Sequence, residues 1–370
     1  METWNGEKTM AKKTTTKKTG KRGKASAKKT RPTNAELCSE FAAQVIARME
    51  QGDLPSWTRP IVGGLPLRMG TLDSKGQAKP YRGWNVFQLL FAMGDHGWTS
   101  PYFGTFKACT DARAKYLKAQ GHTLEKRTGR NGREYLWDTT DDSPVHGVKK
   151  GEKGTPVILW KWIDVEKKDS QGNVVLNADG KPKMTRIPLI RTYVVFNADQ
   201  CQNLGLPTVE QEDVNQVAKI EEAIQEYLNQ NQGLKITEQF GACGSYSPKL
   251  DTITLSTLAE FIGTGEFYGT KLHEIIHSTG HESRLDRDLS CLFGSHPYAR
   301  EELVADMGAA ILCGLFGIQT EKQIENHAAY LAGWMKALKD DPEALVWAGQ
   351  AAQKAVDFFM GTTWEDTEAA

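Results

Sequence analysis

The segment His273-Glu274-Ile275-Ile276-His277 places two imidazoles at i and i+4 around a glutamate. On a helix, residues four apart are neighbours, so this spacing sets both rings side by side where one metal ion can bind them. Glu274 lies one step round the helix; it cannot easily share the ligand position but can reach a water held there, the place of a general base. Leu272, Ile275, Ile276 and Thr279 form an adjoining stripe that can pack inward, which puts the histidines at the edge of a core. The chemistry this pattern points to is metal-assisted hydrolysis, with zinc as the expected ion and manganese or another divalent metal also acceptable to such donors.

A catalytic zinc site needs a third protein ligand and an open position. A donor lies in Arg300-Glu-Glu-Leu-Val-Ala-Asp-Met-Gly-Ala-Ala310, whose Leu303, Val304, Met307 and Ala310, with Ile311 beyond, predict a second buried helix. Glu302 and Asp306 again stand at i and i+4. Glu302 is expected to bind the ion, and Asp306 to accept a hydrogen bond from the free nitrogen of a ligand histidine, fixing its tautomer. Two carboxylates on so apolar a helix are costly to bury without a cation or a donor. Glu301 and His281 are the rival third ligands. The longer pattern HExxHxxGxxH has its glycine at Gly280 but Ser283 at its last histidine.

The elements that must position these groups follow from pattern. Tyr246 to Leu255 reads as turn then strand, with Ile253 and Leu255 inward; beside the metal helix such a strand can pair with an extended peptide. Val214 to Leu228 reads as an amphipathic helix that opens this region. Ile324 to Leu338 and Leu345 to Phe359 close it as two more, with Asp341 able to cap and Pro342 able to start the last. Ahead of them, Asn34 can cap a helix through Leu37, Phe41, Val45 and Met49 that ends near Gly52. Leu54 to Pro80 reads as loop, Trp84 to Met93 and Phe106 to Ala119 as helices, and 121–145 as a polar surface insertion. Thr155 to Ile163 and Ile187 to Phe196 are rich in β-branched and aromatic residues and are predicted to form a long hairpin arm.

These elements predict an α+β chain: a mixed helix and strand module over 34–204, a linker over 205–213, and a mainly helical module with a small sheet over 214–370. Residues 1–33 hold eleven Lys and Arg among small polar residues and read as a disordered basic tail. The six scattered cysteines form no CxxC pair, which argues against a disulfide framework and for a reducing cytoplasm. No apolar run approaches the roughly 20 residues that span a bilayer, and the basic N-terminus lacks the apolar segment of a signal peptide. No membrane partner is therefore expected.

Net charge is zero, yet residues 1–200 carry 35 Lys and Arg against 20 Asp and Glu, and residues 201–370 carry 11 against 26. Only the first half is therefore a candidate for a polyanion. Between 57 and 107 aromatic and basic residues interleave, among them Trp57, Arg59, Arg68, Tyr81, Arg82, Trp84, Trp98 and Lys107, as they do where bases stack on rings and cations track phosphates. Aromatic residues are more often core, and this pattern alone does not decide.

Taken in order, PYRGWN (80–85), FGTFK (103–107), GVKKGEKGTPV (147–157) and VVFNADQC (194–201), ahead of HExxHxTGH and EELVAD, resemble the ArdC-type antirestriction proteins of plasmids and other mobile elements. The N-terminal module of that family is also found in conjugative primases. The resemblance covers about residues 36–360 and implies a single-stranded-DNA-binding domain followed by a zincin-like metallopeptidase domain acting on an unknown protein or peptide. It implies DNA contacts by Tyr81, Arg82, Trp84, Asn85 and Lys107 and by the loop Lys149, Lys150 and Lys153. The last acidic residue of the EELVA motif, often Glu in such proteins, is Asp306 here. Two rival functions stay open: a passive shield of single-stranded DNA with an inactive or structural metal site, and a primase-associated factor.

Overall fold

In the computed structural model, residues 33–51, 64–72, 77–130, 132–177, 179–207, 216–289, 296–318 and 327–362 are described. The basic tail, Trp57, Arg59 and most of the expected linker lie outside them. Helix α1 (Asn34–Glu50) buries Leu37, Phe41, Val45 and Met49, the apolar face that its spacing predicts. Helices α2 (Trp84–His96) and α3 (Phe106–Ala119) also fall where expected, and Thr105 caps α3 by accepting the Ala108 N–H.

The arm is longer than its composition indicates. Strands β7 (Thr155–Glu166) and β8 (Met184–Asn197) pair antiparallel along their full length, and bridges Lys168 to Val174 and Leu176 to Pro182 extend it. The loop reading of 54–80 is overturned in part. Residues Leu67–Leu72 form β1 and Ala78–Pro80 form β2, which join β3 (Tyr102–Gly104) and the arm in a sheet of order β2-β1-β3-β8-β7. Such short segments carry no readable alternation: among the described strands, β2 pairs only with its neighbour β1, and β1 reaches the sheet through β3. The insertion at 121–145 is likewise folded, as a second sheet of β4 (Leu124–Thr128), β5 (Glu134–Asp138) and β6 (Ser143–Pro144).

Past 216 come α4 (Gln216–Gln230), a three-stranded sheet of order β10-β11-β9, and four helices. Strands β9 (Lys235–Glu238), β10 (Ser245–Ser247) and β11 (Thr252–Leu255) leave β10 at one edge, with Ile253 and Leu255 buried as predicted. Helices α5 (Thr264–Ser278), α6 (His296–Phe316), α7 (His327–Asp340) and α8 (Glu343–Phe359) complete the chain.

One apolar core runs from Leu37 and Trp84 through Ile275 and Leu303 to Phe359, and residues from Asn34 onward form one compact unit. Its N-terminal and C-terminal parts are joined at Trp84, which is fully buried beside Phe41 and Phe87. Gly349 on α8 permits this, since a Cβ there would stand 2.7 Å from the Trp84 backbone nitrogen. Beside it, Gln353 accepts the Gly83 N–H at 3.1 Å and Arg82 pairs with Asp357. Truncating a buried aromatic side chain costs about 3–5 kcal/mol. Trp84→Ala is therefore expected to lower stability by about that amount, read as the urea midpoint at unchanged slope; an unmoved midpoint would show that this ring does not hold the two parts together.

Candidate metal centre

Helix α5 carries His273 and His277, and α6 crosses it closely enough to bring Glu302 against both. The approach depends on Gly308, where a Cβ would meet Ile276 side-chain atoms at 2.8 Å. The two Nε2 atoms are 3.1 Å apart; Glu302 places Oε2 at 3.6 Å from His273 Nε2 and Oε1 at 3.5 Å from His277 Nε2. One donor atom from each of the three residues lies within 4.8 Å of the others, a set that could hold one ion. Two imidazoles and a carboxylate suit a divalent metal.

The outer nitrogens of both rings are engaged. Asp306 Oδ1 stands 3.0 Å from His273 Nδ1, the contact expected of it, and Glu301 Oε1 stands 3.2 Å from His277 Nδ1. Glu301 thus sits behind a histidine and not among the three converging donors. Its carboxylate is clamped by Arg287, whose Nε and Nη2 donate at 3.0 and 2.8 Å. Arg287 also donates to Thr279 Oγ1 and to the Ile276 carbonyl, both at 2.8 Å, which ties the network to the end of α5. His281, the other rival ligand, accepts the Ser283 N–H at 3.2 Å through Nδ1 and is not among the three donors.

Burial disfavours charge on both rings, but their hydrogen-bonded carboxylates outweigh it. His273 is raised to about 10 by Asp306 and Glu302, and His277 to about 9 by Glu301 and Glu302. Burial likewise pushes Glu302 upward, yet its bonds to both imidazoles win and hold it well below the carboxylate range.

Glu274 is buried beside this set, and among the described residues its carboxylate has no hydrogen-bond or salt-bridge partner. Gly244, just before β10, lies close to it: a Cβ there would crowd Thr270 Cγ2 at 2.7 Å and stand 3.4 Å from Glu274 Oε1. The edge strand therefore passes directly alongside this carboxylate. Arg284 fixes the strand there, pairing with Asp251, donating to Tyr246 Oη at 3.0 Å and to the Ser278 carbonyl at 2.7 Å. Tyr246 in turn donates to Asp251 at 2.7 Å. Neither arginine is marked by any local pattern, because both act through contacts that only the folded chain creates.

Residues 35–196 match the family described as the N-terminal domain of the anti-restriction factor ArdC, and residues 222–352 match the zincin-like metallopeptidase family. The chain is similar to antirestriction ArdC of plasmid R388 in its metal-free crystal structure, at 28% identity and TM-score 0.59, covering 88% of this chain and 96% of that one. The Mn(II)-bound structure of that protein matches at 29% and 0.57, over 88% and 97%. This chain belongs to the ArdC-type antirestriction family. It is also 39% identical to DNA primase TraC of Escherichia coli over 263 residues, which is 69% of this chain but only 17% of TraC. The metallopeptidase-like domain and the Mn(II)-bound relative together point to a divalent metal.

Several DNA contacts expected from the ArdC-type motifs are corrected by burial. Tyr81 is buried and donates to the Phe103 carbonyl at 3.4 Å. Trp84 is core. Asn85 is buried and makes a two-way bridge to the Ile158 backbone, both bonds at 2.7 Å. Arg82 pairs with Asp357. Interleaved rings and cations look alike whether they stack bases or lock a core, and here the core has Tyr81 and Trp84. Lys107 is exposed and pairs with Asp111, while Lys149, Lys150 and Lys153 are exposed on one loop.

The raised imidazoles set the sign of a pH dependence. Without metal the surrounding carboxylates favour protonated imidazole at pH 7, and an ion binds only neutral imidazole. Binding at pH 7 is therefore expected to expel at least about one proton per ion and to tighten as pH rises toward 9 and 10, as titration calorimetry in buffers of different ionisation enthalpy would read. Heat independent of buffer would contradict it. Groups behind metal ligands typically set affinity by about 10–100-fold. Arg287→Ala is expected to weaken metal binding by that order, and equal affinity in the variant would remove the clamp from the centre.

Proposed function

We propose that this chain is an antirestriction protein of a mobile genetic element that binds single-stranded DNA and carries a zinc-dependent peptidase centre. In this reading a DNA-binding module over 34–204 tethers a peptidase module over 214–370 to DNA entering a bacterial cytoplasm. The observation that carries it is the convergence of His273, His277 and Glu302 within 4.8 Å, with a buried and unpaired glutamate beside them.

His273, His277 and Glu302 would hold the ion, with Asp306 and Glu301 fixing the two ring orientations. A divalent metal there supplies Lewis acidity, and zinc suits the donor set, with manganese a further occupant. The protein's own part is proton transfer. Glu274 takes a proton from the attacking water and returns it to the departing amine nitrogen, which a buried carboxylate without a hydrogen-bond partner is placed to do. An extended peptide that adds to the free edge of β10 would run beside Glu274, held by main-chain hydrogen bonds with little side-chain selectivity. No helix among the described residues is long and apolar enough to cross a membrane.

The likeness to TraC supports a second reading, a DNA-binding accessory whose metal site is inactive or structural. Glu274→Gln separates the two. The variant is expected to keep its metal and its DNA affinity while losing protection of incoming DNA and peptide hydrolysis by about 100-fold or more. Full protection by a metal-loaded variant would sink the peptidase account and leave passive shielding.

A further inference from the structure

The burial of Tyr81, Trp84 and Asn85 moves the question of where a DNA strand is held to the exposed lysine loop. That loop forms one wall of a cleft of about 550 Å³, with α1 and the end of α2 opposite. The volume falls in the range of sites that take small ligands, about 300–1,000 Å³. Its lining includes Arg48, Phe91, His96, Trp98, Lys153 and Gln200.

The aromatic wall is built and braced. His96 and Trp98 stack at 4.5 Å between centroids and 24° between planes, and Trp98 is held from behind by Phe103, edge-on at 6.1 Å. Its backbone N–H returns to the Met93 carbonyl at 3.0 Å across Gly97, which takes the left-handed conformation at φ 65°. Arg48 lies 4.8 Å over the Phe91 ring and is neutralised by Asp95.

Both walls are anchored on one turn, residues 197–200. Asp199 accepts the N–H groups of Thr99 and Ser100 at 2.7 and 3.1 Å, and Asn197 donates to the Ser100 carbonyl at 2.8 Å, which fixes the chain after Trp98. Gln200, buried, donates to the Lys153 carbonyl at 2.8 Å and to Glu152 at 3.1 Å, which fixes the loop. With Arg48 and Glu152 already engaged, Lys150 and Lys153 are exposed cations with no carboxylate partner among the described residues. A rigid stacking surface faces free positive charge, and little ordering remains for a ligand to impose.

We propose that this cleft takes one unpaired base of a DNA strand against the His96–Trp98 stack, with neighbouring phosphates on Lys150 and Lys153. The proposal rests on the single-stranded-DNA reading above and names the place where that strand is held. In a duplex both faces of a base are covered by its neighbours, so a stacking cleft selects single strands, and it tolerates any sequence because every base has a π face.

The test uses the full chain with oligothymidylate, the corresponding duplex, and free thymidine monophosphate. Photo-cross-linking of an oligonucleotide bearing 5-iodouracil is expected to label the peptide containing His96 and Trp98. His96→Ala with Lys153→Ala, both on exposed side chains, is expected to weaken oligonucleotide binding about tenfold or more at unchanged thermal stability. Lys153→Ala alone should flatten the salt dependence by about 0.7 in log–log slope. A wild-type protein that binds oligothymidylate but cross-links elsewhere, with the double variant binding equally well, overturns this cleft and leaves the single-stranded-DNA reading intact. No binding by the wild type removes both. Monophosphate binding as tight as the oligomer would make this a free-nucleotide site and overturn the strand assignment.

Discussion

Acidic groups buried between two apolar helices must find positive partners, and this requirement organises the centre. Leu303, Val304 and Met307 hold α6 against Leu272, Ile275 and Ile276 of α5, and the crossing is closest at Gly308, where a Cβ would meet Ile276. Glu301, Glu302 and Asp306 are thereby carried into the core, where an isolated charge would cost many times a surface one. The sequence of contacts alternates in sign: Arg287 to Glu301, Glu301 to His277, His277 to Glu302, Glu302 to His273, His273 to Asp306. Remove the helix crossing and each of these groups returns to water, with nothing to hold the rings in register.

The same core reaches the N-terminal elements, so the motifs that look like a nucleic-acid surface have a mechanical role. Trp84 fills the space that Gly349 leaves, Gln353 takes the Gly83 N–H, and Asn85 fastens α2 to the start of the arm through Ile158. The arm is thus carried by a helix that is itself packed on α8. Any strand held near α2 and any peptide held near α5 are bound to parts of one continuous packing arrangement.

What could be read from the chain divides along the range of the interactions. His273 and His277 were legible because an i, i+4 spacing is a local fact, and Glu302 and Asp306 because the apolar period of α6 shows which face they share. Arg284, Arg287 and the place of Glu301 were not, since their partners lie in other elements. Strands β1 and β2 are not legible because three to six residues leave no period to detect. Tyr81, Trp84 and Asn85 are buried, which their pattern does not reveal: a ring in a basic stretch carries the same sequence signal on either side of the surface.

The charge pattern also explains how so polar a cluster can exist without an ion and still accept one. In the metal-free state Asp306, Glu302 and Glu301 favour a proton on the imidazole pair. A divalent cation brings in positive charge as that proton leaves. The carboxylates keep positive partners in both states, so α5 and α6 need not separate or repack as metal enters. Glu274 stands outside this exchange, and that is its chemical distinction: of the buried acidic groups around the centre, it alone is not already committed to an imidazole or a guanidinium, and so it alone is available to a proton that moves.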